Sequence, residues 1–348
     1  MSRFRFLFTL LFLARICLPP AGFALTGGKV KVVATFADFA AIASQIGGEH
    51  VVTDYISSGD MDPHFVQPKP SLAKKLSDAD LWITTGLDLE LWATTLLDKA
   101  RNSKIMDGTS GYVSVSTGVE LLEKPTTALS RTEGDIHVYG NPHIHTGPQN
   151  WGKIAENIMI GLSRVDPAGE SYYRENYAKF TDRVDRALFG DQLVELIGGK
   201  LLGDMLRAGT LFQFLEKDYQ GAPLQQKLGG WLKEGLPLRG LKVIAYHKSW
   251  AYFNQCFGLE EVGYVEPKPG IPPSAKHVRD IIDLIESRKI GILTVPGYFE
   301  RNNPEMIAQR TGIKVTYLTL HCGSNQEFPD DFALMDYWIK SLVDAARQ

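Results

Sequence analysis

Histidine is the residue type whose placement in this chain could carry chemistry. There are eight: His50, His64, His137, His143, His145, His247, His277 and His321. His64 sits in "MDPHFVQPKP" at 61–70, where Pro63, Pro68 and Pro70 break both helix and ladder. A loop this stiff holds a side chain in a fixed place. His143 and His145 sit in "GNPHIHTGPQN", again beside a proline, and His247 ends the apolar run "KVIAYH". Neutral imidazole is a favoured zinc ligand, and three imidazoles with one carboxylate make a tetrahedral site. Manganese sites carry more carboxylate. Each position also has a plain alternative: a strand-end histidine such as His247 is often a capped or core residue, and HxH is a weak motif alone. HExxH, the usual zinc-protease signature, is absent.

The elements that must position these residues follow from periodicity. Apolar, β-branched runs at 29–36, 51–56 and 81–87 read as strands, with helical patterns in "PSLAKKLSDA" and "DLELWATTLLDKAR". A second set of strands falls at 242–247, 290–297 and 314–320, with helices in "SAKHVRDIIDLIESRK" and "NPEMIAQRTG" and a closing helix in "DDFALMDYWIKSLVDAAR". Alternation of this kind implies an α/β fold with parallel-rich sheets. Between the two sets, Asp166 and Pro167 open a long helix with Tyr173, Tyr177, Phe180, Val184 and Leu188 on one face. Residues 190–240 read as short helices broken by glycines. The expected architecture is two similar lobes joined by one long backbone helix. Residues 25–165 form the N-terminal lobe, 166–238 the linking helix with an extra helical element, and 239–348 the C-terminal lobe. Ligands of α/β sheets gather at the carboxyl ends of strands, so the histidine loops are expected to meet in the cleft between lobes.

Composition narrows the class. The chain is 44% hydrophobic and 22% charged with a net charge of −3, and no basic run tracks phosphates, so nucleic acid is not an expected partner. Residues 1–24 read as a secretory signal peptide: Arg3 and Arg5, an apolar run from Phe6 to Ala14, then Gly22 and Ala24 before the cut. The apolar run is too short to span a bilayer. Arg15 and Ile16 precede Cys17, a poor context for a lipid anchor there. In an exported chain the remaining cysteines, Cys256 and Cys322, predict one disulfide.

Four stretches resemble one family in order and spacing: "GDMDPHFVQPKPSLAKKLSDADLWITTGLDLELW", "GNPHIHTGPQNW", "LSRVDPAGESYYRENY" and "KVIAYHKSWAYFNQCFGLEEVG". That family is the cluster A-I solute-binding proteins, the periplasmic zinc- or manganese-binding components of ABC importers. The resemblance covers nearly the whole mature chain. It implies a transport protein rather than an enzyme, a monomer that captures zinc and delivers it to a membrane permease, with manganese or iron as the alternative cargo. It implies His64, His143 and His247 as metal ligands, with an aspartate before the last helix as the fourth. Asp330 is the expected fourth ligand and Asp331 its alternative. A histidine at the third position, His247, favours zinc. A zinc hydrolase would need an open coordination position, which four protein ligands deny.

The chain departs from the family in several places. Val295 stands where a glutamate is common, with Glu300 nearby, and the region 195–238 is longer than usual. Only His137 lies in the loop that is histidine-rich in many zinc members. His145 stands where a non-ligand is common, as an alternative ligand or as a support for one. A single long helix implies a small tilt of the lobes rather than wide closure. Zinc is expected to leave below about pH 6 as imidazoles protonate.

Overall fold

The structure is a computed structural model that describes residues 28–125, 138–268, 270–323 and 327–347. The signal-peptide segment 1–24, with Cys17, and His137 lie outside the described residues.

The first sheet has four parallel strands: β1 (Val30–Phe36), β2 (Val51–Ser57), β3 (Leu81–Thr84) and β4 (Tyr112–Ser114), in the order β2-β1-β3-β4. The connections run through α1 (Ala37–Gly47), α2 (Pro70–Leu76) and α3 (Ala93–Ala100). Every residue of β3 is buried, as a central parallel strand covered on both faces requires. Pro70 opens α2 at the first helical position, where its missing N–H is not needed. The helix expected over 88–101 starts only at Ala93. Leu87 and Asp88 adopt φ of 64° and 61°, so the chain turns before it can coil.

Two long helices follow. These are α4 (Trp151–Val165) and α5 (Glu170–Phe189). Asp166 and Pro167 open a short 3₁₀ turn rather than α5 itself, and the Asp166 carboxylate accepts the Tyr173 hydroxyl at 2.6 Å. The 20 residues of α5 span about 30 Å and bury Tyr173, Phe180, Val184 and Leu188. Beyond it come α6 (Asp191–Ile197), α7 (Gly199–Arg207), α8 (Leu211–Leu215), a small hairpin of β5 (Asp218–Tyr219) and β6 (Ala222–Pro223), and α9 (Gly230–Glu234). Gly190 separates α5 from α6 at φ 79°, and a Cβ there would lie 2.5 Å from Cα of Gly229.

The second sheet repeats the first. Strands β7 (Lys242–Ala245), β8 (Glu260–Tyr264), β9 (Ile292–Pro296) and β10 (Lys314–Leu318) are parallel in the order β10-β9-β7-β8, the same topology read from the other edge. Its helices are α10 (Ala251–Phe257), α11 (Ala275–Arg288), α12 (Asn302–Thr311) and α13 (Asp331–Ala346). Ser274 caps α11 by accepting the N–H of His277 at 3.2 Å. One hydrophobic core runs from Val30 and Phe36 through Trp151 and Phe180 to Trp250, Trp338 and Val343, so it crosses from one lobe to the other.

The cysteines correct an expectation. Cys256 and Cys322 are buried free thiols, not a disulfide. Cys256 lies inside α10 with the charge of Arg239 nearby, whereas Cys322 follows β10 beside Asp38. Burial pushes both thiols up, which keeps them protonated.

Candidate metal centre

The loop between β2 and α2 presents His64. Asp62 shapes it by accepting the backbone N–H of His64 at 3.0 Å and lying 2.9 Å from its Nδ1. The indole N–H of Trp92 donates to the carbonyl of Pro63 at 2.8 Å, so the proline carrying His64 is anchored to the lobe beneath it. His143 comes from the loop before α4. Asn141 Oδ1 accepts its backbone N–H at 2.9 Å, while the Asn141 side-chain amide donates to Glu123 and to the carbonyl of Lys248 in the second lobe. The Tyr252 hydroxyl donates to the carbonyl of Asn141 at 2.7 Å, a second tie between the lobes. His247 follows β7, with its Nδ1 2.6 Å from a carboxylate oxygen of Glu266. The other Glu266 oxygen accepts the Gly270 N–H at 2.8 Å.

These three histidines converge. Their ring centroids lie 5.2 Å apart for His64 and His143, 4.9 Å for His64 and His247, and 5.6 Å for His143 and His247. One ligand nitrogen from each lies within 4.8 Å of the others, and all three residues are buried. Zinc–imidazole bonds of about 2.0–2.1 Å would require the three rings to close in on a shared point. A cleft of about 280 Å³ opens beside His64 and His247, with Phe65, Tyr246 and Phe299 in its wall.

Electrostatics keep the site ready for a cation. Burial, then the neighbouring His64, drives His247 down to about 3, so its imidazole is neutral at physiological pH. Burial pushes Glu266 up to about 7, against the pull of the Gly270 N–H. Burial also works against ionised Asp62, yet the hydrogen bonds and charge of His64 hold it below the usual carboxylate range. Carboxyl groups at Nδ1 of His64 and His247 would orient both rings to present Nε2 to an ion, the arrangement that orients ligating imidazoles.

The expected fourth ligand is placed elsewhere. Asp330 is the N-cap of α13, accepting the Ala333 N–H at 3.0 Å, and lies 3.4 Å from Arg183. An aspartate just before a helix has the signature of a cap, and here it is one. Asp331 points inward towards Asp38. Val295 is core in β9, and Glu300 accepts the Tyr246 hydroxyl at 3.0 Å. His145 and His321 stack on each other, with the His145 ring 6.2 Å from that of His143, His50 stacks on Tyr172, and Nε2 of His277 lies 2.9 Å from the carbonyl of Tyr264. Sequence reasoning missed Glu266, although "YVEPKPG" places an acid just past the end of a strand.

Comparison with known proteins places the chain in a family. The family described as ZnuA, zinc-uptake complex component A periplasmic, matches residues 32–188 and 225–345. The chain belongs to this family. It is thus a metal-binding, substrate-binding protein of an ABC transporter and not an enzyme. The manganese ABC transporter substrate-binding lipoprotein PsaA of Streptococcus pneumoniae is 30% identical over 294 residues, covering 83% of this chain and 79% of that protein. The iron-binding protein YfeA of Yersinia pestis is 24% identical over 325 residues, 91% of this chain and 86% of that one. Among solved structures, a crystal structure of ZnuA superposes with a TM-score of 0.66 at 21% identity, over 91% of this chain and 99% of the other. The gap in the family match, 189–224, falls on the helices and hairpin after α5.

Proposed function

We propose that this protein captures zinc at His64, His143 and His247 in the periplasm and delivers it to the membrane permease of an ABC importer. The supporting observation is the donor set: three buried imidazoles from three separate loops, two of them held at Nδ1 by carboxylates. Imidazole suits zinc, whereas manganese is better served by carboxylate and water. With Asp330 capping α13, the fourth position falls to water. The pattern of residues 1–24 supports export. His64 and His143 come from the first lobe and His247 from the second, so a small tilt between lobes lowers coordination and releases the ion.

Metal-free protein titrated with zinc in competition with manganese and iron(II) tests the cargo. Zinc should displace either of the others, and retention of manganese or iron against zinc reassigns it. Equilibrium dialysis of His64→Ala tests the site, where an unchanged zinc affinity would remove His64 from it.

A further inference from the structure

The HIH motif places two imidazoles in one loop, and only His143 belongs to the centre described above. His145, two positions on with its ring 6.2 Å away, joins a different group. Asp38 comes from the first turn of α1, His145 from the loop before α4, and His321 from the segment just after β10 in the other lobe. One ligand atom from each lies within 4.8 Å of the others, and the three residues are 1%, 2% and 0% exposed. Asp38 Oδ2 lies 2.7 Å from Nδ1 of His321. Phe36 stacks on His321 at 4.6 Å.

A purely structural role explains part of this. It accounts for the Asp38–His321 hydrogen bond and for the ring stack. It does not account for the remaining polar atoms. Among the described groups, neither ring nitrogen of His145, nor Nε2 of His321, nor Oδ2 of Asp331 makes a hydrogen bond of normal geometry, although His145 lies beside the Leu320 backbone and Asp331 faces Asp38. Buried polar atoms without partners are costly and rare, and several converging in one place point to a ligand that satisfies them. Asp38 also lies within ligand range of Asp331 and Cys322, so further donors adjoin the group.

We propose that Asp38, His145 and His321 form a second, inner site for a divalent cation of the zinc class. Two imidazoles and a carboxylate are a zinc-type donor set. On binding, the proton shared by Asp38 and His321 leaves, since metal ligands must be deprotonated. The His145 ring turns out of its stack with His321, because two rings 23° from parallel do not aim nitrogens at one point. Burial beside Asp38 holds Asp331 well above the usual carboxylate range, so it stays protonated next to the ionised Asp38. The ion would bridge the lobes, as the outer centre does.

The test is stoichiometry on the full mature chain. Metal-free protein is loaded with zinc, freed of excess by gel filtration, and its metal content measured. Wild type should hold two equivalents. His64→Ala, His145→Asn and His321→Gln should each hold one, and His64→Ala combined with His145→Asn none. A wild-type value of one that falls to zero in His64→Ala and persists in His145→Asn overturns the inner site and leaves the outer one standing. A value of one lost in His145→Asn and kept in His64→Ala does the reverse. Two equivalents that survive both His145→Asn and His321→Gln also overturn it. Should the buried substitutions prevent folding, anomalous scattering from zinc-loaded wild-type crystals decides, by a peak among Asp38, His145 and His321 or its absence.

Discussion

Nδ1 of His247 lies 2.6 Å from a carboxylate oxygen of Glu266, and both side chains are almost wholly buried. The pair fixes the ring's tautomer and orientation before any ion arrives, and it raises the basicity of the opposite nitrogen. Glu266→Gln keeps the size and loses the charge. It should weaken zinc binding by about 10- to 100-fold while leaving the fold intact by circular dichroism. Competition against a chromogenic chelator measures this, and equal affinities would remove Glu266 from the site.

The depressed pKa of His247 makes a signed prediction about pH. The folded value is about 3 against an ordinary 6.5. Below pH 6.5 the unfolded chain takes up a proton that the folded chain refuses. The residue's contribution to stability is therefore complete above pH 6.5 and is lost as pH falls towards 3. Comparing metal-free wild type with His247→Gln cancels most of the opposing effect of Glu266, whose raised value favours the folded state as pH drops below 7. Between pH 7 and pH 5 wild type should lose about 2 kcal/mol more than the variant in urea unfolding. An equal loss in both would mean that the folded ring takes up its proton normally. The same depression moves any acid release that depends on His247 below the pH 6 expected of an exposed imidazole.

Trp92 controls the loop of His64 from underneath. Trp92→Phe removes the donor to the Pro63 carbonyl and leaves that buried oxygen unmatched. The cost should be about 1–3 kcal/mol, read from the urea midpoint. Zinc should also dissociate faster, because the loop loses its anchor. A variant with normal stability and a normal off-rate would show that the prolines alone hold the loop.

Gly59 lets the lobes touch. A Cβ at this position would lie 2.0 Å from the carbonyl oxygen of His321 and 2.7 Å from the methyl group of Thr319. Gly59→Ala must push a first-lobe loop away from the end of β10. Overpacking of this kind costs about 1–3 kcal/mol, and the melting temperature should fall accordingly. An unchanged melting temperature would show that the contact yields easily.

Much of this arrangement is legible in the sequence, for physical reasons. His64 and His143 each follow a proline, and His247 ends a β-branched run, so three loops at the edges of sheets could be expected to share a cleft. Other features leave no such mark. Glu260, Glu261 and Gly263 hide strand β8, since two adjacent acids and a glycine break the alternating hydrophobic pattern of a strand. Burial pushes Glu261 up to about 8, so it is packed largely protonated against Asn254. Cysteine count predicts a disulfide but carries no distance, and Cys256 and Cys322 stay free thiols. Asp330 and Asp331 are adjacent and alike in sequence. Only the direction of the α13 axis decides that the first caps the helix and the second turns towards Asp38.

The largest hydrophobic core crosses from one lobe to the other, and each lobe keeps a smaller core of its own. Proteins with a true hinge turn capture into a large change of outline. Here α5 and the core shared by both lobes tie the two sheets together. Loaded and empty molecules should therefore show almost the same silhouette. If the protein serves the permease proposed above, the difference to be sensed is stiffness rather than shape: lobes bridged by an ion would resist being pried open more than lobes without one.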